Sequence, residues 1–331
     1  MYQSVPMVEI WRGNFLETIH EGHAVVCDPT GKIVKSWGNP SAIVLPRSSS
    51  KMLQALPLIE SGAADAVGLT SRHLALACAS HSAASIHTEL VSDWLGALGF
   101  SDSDLRCGVQ EPFDIAARDA LIHSGDPVCQ LHNNCSGKHT GFLTLSRHIG
   151  ASSEYIEPDH PVQLAVREAF DDMTGLSSPG FSIDGCSAPN FATSILGMAR
   201  AMAIFAVARD GKDRRLSAAA RLREAMAAHP EYVAGEGRAC TELMRALGHG
   251  AVIKTGAEGY FVAMLPQHSL GVALKVLDGK TAAAEAALAA LLIDLGALDV
   301  NHPTAKKYVD APLLNRRGVS CGSTRIASGF V

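Results

Sequence analysis

Arg47-Ser48-Ser49-Ser50-Lys51-Met52-Leu53-Gln54-Ala55-Leu56-Pro57 is the stretch at which the chain changes character. After Pro46, apolar residues recur at helical spacing through Ile59, so a helix starts here. Ahead of it the sequence reads as strands. Val8–Arg12, Phe15–Ile19, Ala24–Val26 and Lys32–Trp37 are short apolar runs, and Asp28-Pro29-Thr30-Gly31 supplies a turn between the last two. Beyond it lies a long helical middle. Helices are predicted from Ser71 to His81, Ile86 to Leu98, Asn133 or Asn134 to Arg147, and Pro161 to Thr174. Three more run from Pro189 to Arg209, Leu216 to Ala228 and Ala239 to Leu247. Strands return at Ala251–Thr255, Gly259–Leu265 and Leu270–Val276, and Thr281–Leu295 reads as a terminal helix. The order strands, helices, strands, helix predicts an α+β fold. Its antiparallel sheet is made from N- and C-terminal strands, with a large helical insertion between them. The expected organisation is one unit over residues 1–331, with its sheet part at about 1–45 and 250–331 and its helical part at about 46–249.

Composition narrows the function. The chain has 331 residues, of which 47% are hydrophobic and 18% charged, an ordinary globular balance. Its net charge of −5, from 33 acids against 28 bases, gives no reason to expect a nucleic-acid or anionic-membrane partner. Its most apolar stretches, Ile195–Ala208 and Ala282–Leu295, are interrupted by Arg200, Glu285 and Asp294, so no membrane span is expected. With Glu9 and Arg12 in place of an apolar leader, a cytoplasmic location is expected. The eight scattered cysteines then read as thiols or metal ligands and not as a disulfide framework.

Three groups of residues have reactive side chains at useful spacing. Ser48 and Lys51 are three apart, so on a helical turn they share a face and the amine can serve as base to the hydroxyl. The bland reading is a capping serine followed by a solvated lysine. Lys254-Thr255-Gly256 lies on a predicted strand far downstream. S-x-x-K at a helix start followed by K-T-G on a strand is the pattern of β-lactamases and penicillin-binding proteins. Their S-D-N motif is missing. Cys78-Ala79-Ser80-His81-Ser82 stands in its place, and Ser80 is a second serine that can pair with Lys254. The third group is His132-Asn133-Asn134-Cys135-Ser136-Gly137-Lys138-His139. Cys135 and His139 share a helix face with Lys138, and Cys186 or Asp184 of Asp184-Gly185-Cys186-Ser187-Ala188-Pro189-Asn190 can complete a zinc site. A capped helix start with a buried thiol is the alternative.

Together these blocks resemble the rhizobial-type L-asparaginases, the asparaginase II family, from about Glu9 to Leu277. The resemblance implies a serine-β-lactamase/glutaminase-like fold, a homodimer, and hydrolysis of L-asparagine to L-aspartate and ammonia. It implies two Ser–Lys couples, Ser48–Lys51 and Ser80–Lys254, and one zinc per chain held by Cys135, Lys138 and Cys186. Asp184 and His139 match polar residues near the metal, and Cys240 matches a cysteine close to the pocket. Arg47, Asn134, His139, Asp184, Cys240 and Gly256 are the residues expected around the substrate, with Arg47 a candidate for its carboxylate. In the expected reaction Ser48 attacks, Lys51 is its base, Ser80 and Lys254 relay protons, and backbone N–H groups after Ser48 meet the oxyanion. Two other asparaginase designs are excluded by residues: there is no Gly-Thr bond to free a threonine nucleophile and no Thr-Gly-Gly-Thr stretch. The remaining alternatives are a penicillin-recognising serine hydrolase and a non-catalytic zinc-containing amino-acid-binding protein.

Overall fold

Strands from the two ends of the chain meet in one sheet, as the order of elements predicts. The structure is a computed structural model and describes residues 3–331. Strands β1 (Val5–Arg12), β2 (Phe15–Cys27) and β3 (Ile33–Trp37) open the chain. The short strands β4 (Ile43–Val44), β5 (Phe181–Ile183), β6 (Pro189–Phe191) and β7 (Thr193–Ser194) form two small ribbons within the helical part. Then come β8 (Val252–Gly256), β9 (Tyr260–Leu265), β10 (Leu270–Val276), β11 (Pro312–Leu314) and β12 (Ser320–Ile326). The large sheet has the order β11-β12-β1-β2-β10-β9-β8, with β3 also on β2, and every pairing in it is antiparallel.

Both faces of the sheet centre are covered, because Ala24–Cys27 and Tyr260–Leu265 are buried without alternation. The helix Ile195–Val207 packs on β10, β2 and β9, and the helix Thr281–Asp294 packs on β10, β1, β9 and β12. Gly271 permits the first contact. A Cβ there would lie 2.0 Å from the Ala203 nitrogen and 2.3 Å from the Ala199 oxygen. The helices of the middle stack beside this layer, and one apolar core runs through both parts. No helix among the described residues is long and apolar enough to cross a membrane.

Several local expectations change. Phe15–Ile19 and Ala24–Val26 belong to one strand, since β2 pairs with β1 along its first half and with β10 and β3 along its second. The helix at Ser71 stops at Ala77, so Ser80 lies in irregular chain beyond the cap and not on the helix. Pro189 begins a strand. The helix expected there begins at Ile195, where Ser194 takes the Gly197 N–H at 2.9 Å as its cap. Cys135 occupies the cap position of the helix Ser136–His148, one step ahead of Lys138's turn. β11, β12 and the helix Ile115–Ser124 are additional elements.

Candidate active site

Lys51, Ser80 and Lys254 come together where the helix Lys51–Glu60, the chain after Ala77 and the edge strand β8 meet, and the turn that carries Ser48 packs on the same strand. Ser48 stands half-buried in a single 3-10 turn, Arg47–Ser50, that runs directly into that helix. Arg47 has φ 52°, a left-handed conformation unusual for a residue with a Cβ. Its N–H donates to Asn190 Oδ1 at 3.2 Å, so the buried Asn190 helps hold the turn. Gly256 of the K-T-G stretch lets the turn sit against the sheet edge. A Cβ at Gly256 would be 2.5 Å from the Pro46 oxygen and 3.2 Å from the Ser49 nitrogen. Gly256 thus acts on the Ser48 turn through backbone packing.

Two lysines are buried here, each about 1% exposed. Lys254 Nζ donates to Ser80 Oγ at 2.8 Å and to the Thr255 carbonyl at 2.8 Å. Burial, with the Lys51 charge second, pushes the Lys254 amine down to about 7. Ser80 itself is held by its N–H to the Val233 carbonyl at 2.9 Å. Lys51 Nζ is differently engaged. It donates to the Ala79 carbonyl and, at 3.4 Å, to the Asn134 carbonyl, while no hydrogen bond joins it to Ser48 Oγ among the described residues. The Ser49 N–H, an expected oxyanion donor, is taken by the Pro46 carbonyl at 3.1 Å. Ser80 and Lys254, 174 positions apart, are therefore the Ser–Lys couple whose hydrogen bond is formed.

The candidate metal residues also converge. Lys138 Nζ donates to Cys186 Sγ at 3.1 Å, and all three of Cys135, Lys138 and Cys186 are buried. The neighbouring Cys135 thiol, before the opposing cost of burial and the help of Lys138, holds Cys186 well below the usual thiol range, and the same pairing leaves Cys135 well above it. Burial lowers the Lys138 amine, but the Cys186 and Cys135 sulfurs outweigh it and raise the net value. His139 meets Tyr155 Oη through Nδ1 at 3.0 Å, while its buried Nε2 has no hydrogen-bond partner. Burial drives that imidazole down to about 4 against the pull of Cys186. Two soft sulfurs and an amine fit a zinc-type ion. Among the described residues there is no cluster of three or more His, Cys, Asp or Glu, so any such ion would need the lysine.

Of the expected substrate residues, Arg47 is tied to Asp184 by an ion pair of 2.7 Å. Asn134 takes the Lys51 contact through its carbonyl and accepts the Cys135 thiol on Oδ1 at 3.0 Å. Cys240 is buried, and burial raises its thiol. Asn190 and His81 lie inside the quoted motif blocks, but the spacing assigned them no role. His81 is fully buried, its N–H donates to the Asn134 carbonyl at 3.3 Å, and its ring meets Ser136 Oγ at 2.9 Å, bracing the chain on either side of Ser80.

A hydroxyl on a buried amine brought towards neutrality is an arrangement in which a serine can be activated. The family model described as L-asparaginase II matches residues 8–326. The chain belongs to that family, which is one of hydrolases acting on amides. No curated protein matches the chain. Among solved structures, Mglu in its tris and glutamate form is similar at 13% identity and TM-score 0.49, over 85% of this chain and 60% of that one. The chain thus spans about 60% of the Mglu length. A putative β-lactamase from Bacteroides dorei is similar at 13% identity and TM-score 0.44, over 77% of this chain and 84% of that one. A simvastatin synthase from Aspergillus terreus is similar at 8% identity and TM-score 0.36, over 81% and 90%.

Proposed function

We propose that the protein hydrolyses the side-chain amide of L-asparagine through a serine ester. The observation that carries this reading is the 2.8 Å hydrogen bond from Lys254 to Ser80, with the amine brought down to about 7. An amide is a poor electrophile, and its amine must be protonated to leave, so the reaction needs one group that first takes a proton and then returns it. An amine near neutrality does both.

In the proposed sequence Ser48 Oγ forms a bond to the amide carbon and its proton passes through Ser80 to Lys254. The oxyanion collapses, the carbon–nitrogen bond breaks, and Lys254 returns the proton to the departing ammonia. Water, deprotonated along the same path, then cleaves the β-aspartyl ester to release L-aspartate. Lys51 contributes its charge, which lowers Lys254, and its bonds to the Ala79 and Asn134 carbonyls, which order the chain at Ser80. Cys135, Lys138 and Cys186 are proposed to hold one zinc, which when bound supplies a Lewis-acidic centre beside the pocket. Until then, the Lys138 ammonium and the Cys186 sulfur neutralise each other.

Ammonia release from L-asparagine tests the activity, with nitrocefin as the control for a penicillin-recognising hydrolase. Ser48→Ala should lower kcat by at least about a thousandfold. A Ser48→Ala protein with normal turnover would transfer the nucleophile role to Ser80, and turnover of nitrocefin in place of asparagine would overturn the substrate assignment.

A further inference from the structure

An amino-acid substrate brings a carboxylate, and the site must offer it a cation. Arg47 is spoken for: its guanidinium is on Asp184 at 2.7 Å and its N–H is on Asn190. Lys51 is committed to two carbonyls, Lys254 to Ser80 and Thr255, and Lys138 to Cys186. Arg238 differs from all of them. It is half-buried at the cap of the helix Ala239–Leu247, and its carbonyl accepts the Glu242 N–H, yet among the described residues its guanidinium makes no hydrogen bond and no ion pair within 4.0 Å. Its one specific contact is with the ring of Phe113, whose centroid lies 5.7 Å from Cζ.

Its place in the fold puts it at the Ser–Lys couple. The helix Ala239–Leu247 packs directly against the K-T-G strand β8, which carries Lys254. Lys254, Cys240 and Glu285 all feel the Arg238 charge. A half-desolvated guanidinium without a partner has lost water contacts and has five donors to offer. The ring of Phe113 steadies its plane, which is what bidentate recognition of a carboxylate needs.

We propose that Arg238 binds the α-carboxylate of the amino-acid substrate. This rests on the amide-hydrolase reading above. It assigns to Arg238 the preference for an α-amino acid over a simple amide, and leaves Arg47 as a structural partner of Asp184. Asparagine places its carboxylate two carbons from the amide carbon, so the anchoring cation has to stand beside the acid–base couple, as Arg238 does.

The test compares L-asparagine with 3-aminopropanamide, which has the same amide and ammonium but no carboxylate. The wild-type enzyme should prefer L-asparagine. In Arg238→Met the KM for L-asparagine should rise about 10- to 100-fold, while kcat/KM for 3-aminopropanamide changes far less, so the preference collapses. A folded Arg238→Met enzyme with its preference intact overturns the proposal, as does a collapse seen only in Arg47→Met. Arg238→Lys keeps the charge but loses the fork, and should cost at least about fivefold in preference; it decides the matter if the methionine variant does not fold. Should the wild-type enzyme release no ammonia at all, the hydrolase reading fails. Calorimetry with L-aspartate then judges Arg238 separately: binding to wild type and none to Arg238→Met supports it, and equal binding refutes it.

Discussion

Replacing Lys254 with methionine should abolish activity and stabilise the fold. The ammonium is about 1% exposed and burial is the largest cause of its shift from 10.5 to about 7. A folded-state value below the unfolded one means that the unfolded chain binds more protons between the two, so stability rises with pH across that window. One pH unit of difference is about 1.4 kcal/mol. At pH 7 the lysine therefore costs about 4 kcal/mol relative to a neutral side chain, and at pH 9 about 2 kcal/mol. Methionine has similar length and no charge to bury, but it forfeits the bonds to Ser80 and Thr255, worth about 1 kcal/mol each. The net gain at pH 7 is about 2 kcal/mol, which in a chain of this size raises Tm by a few degrees. Thermal unfolding of both proteins from pH 6.5 to 9.5 is the assay, with ammonia release alongside. The variant should be the more stable below pH 7, with its advantage shrinking as pH rises. A variant that is less stable at every pH, or an advantage that does not change with pH, would refute the argument that the buried amine is held near neutrality by desolvation.

The same value sets the rate profile: kcat/KM should rise about tenfold from pH 6 to pH 8 and then level off, as the neutral fraction of a group at about 7 does. A profile that falls from pH 6 to pH 9 in a stable protein would contradict a lysine base. Elemental analysis of protein purified without chelator should find close to one zinc per chain, lost in Cys135→Ala and in Cys186→Ala, with affinity weakening as pH falls because the ligands must shed protons. Full zinc in both variants would remove these residues from the metal site. Gly256→Ala should lower Tm and kcat together, because the new methyl group would meet the Pro46 oxygen at 2.5 Å and push the Ser48 turn off the sheet. A fully active, equally stable variant would show that this approach is not needed.

Elements with a strong local signal were legible in the sequence. The helices Pro161–Thr174 and Ala239–Leu247 fall where their caps and apolar spacing place them. Pro189 misleads because proline suits a first helical turn as well as a short strand. What decides is distant: Phe181–Ile183 pairs with it, and Asn190 beside it is drawn to the Arg47 nitrogen. β12 was missed for a related reason. Its sequence, Ser-Cys-Gly-Ser-Thr-Arg-Ile, has no apolar alternation, and it is a strand because β1 offers it an open edge.

For the site, sequence alone settled which residue types stand at which spacing: a serine and lysine on one turn, a K-T-G strand, and two cysteines with a lysine between them in the chain. The α+β order followed from periodicity, because a period of two or of 3.6 is a property of neighbours. Which partner each reactive group takes was decided by tertiary structure. Lys51 is three residues from Ser48, yet its amine turns to the carbonyls of Ala79 and Asn134. Lys254 reaches Ser80 from the far end of the chain. Arg47 is committed to Asp184 while Arg238 is left without a partner. The physical reason is desolvation: a buried charge must find a partner or give up its proton, and both outcomes depend on the groups that folding brings within a few ångströms, which spacing along the chain does not specify.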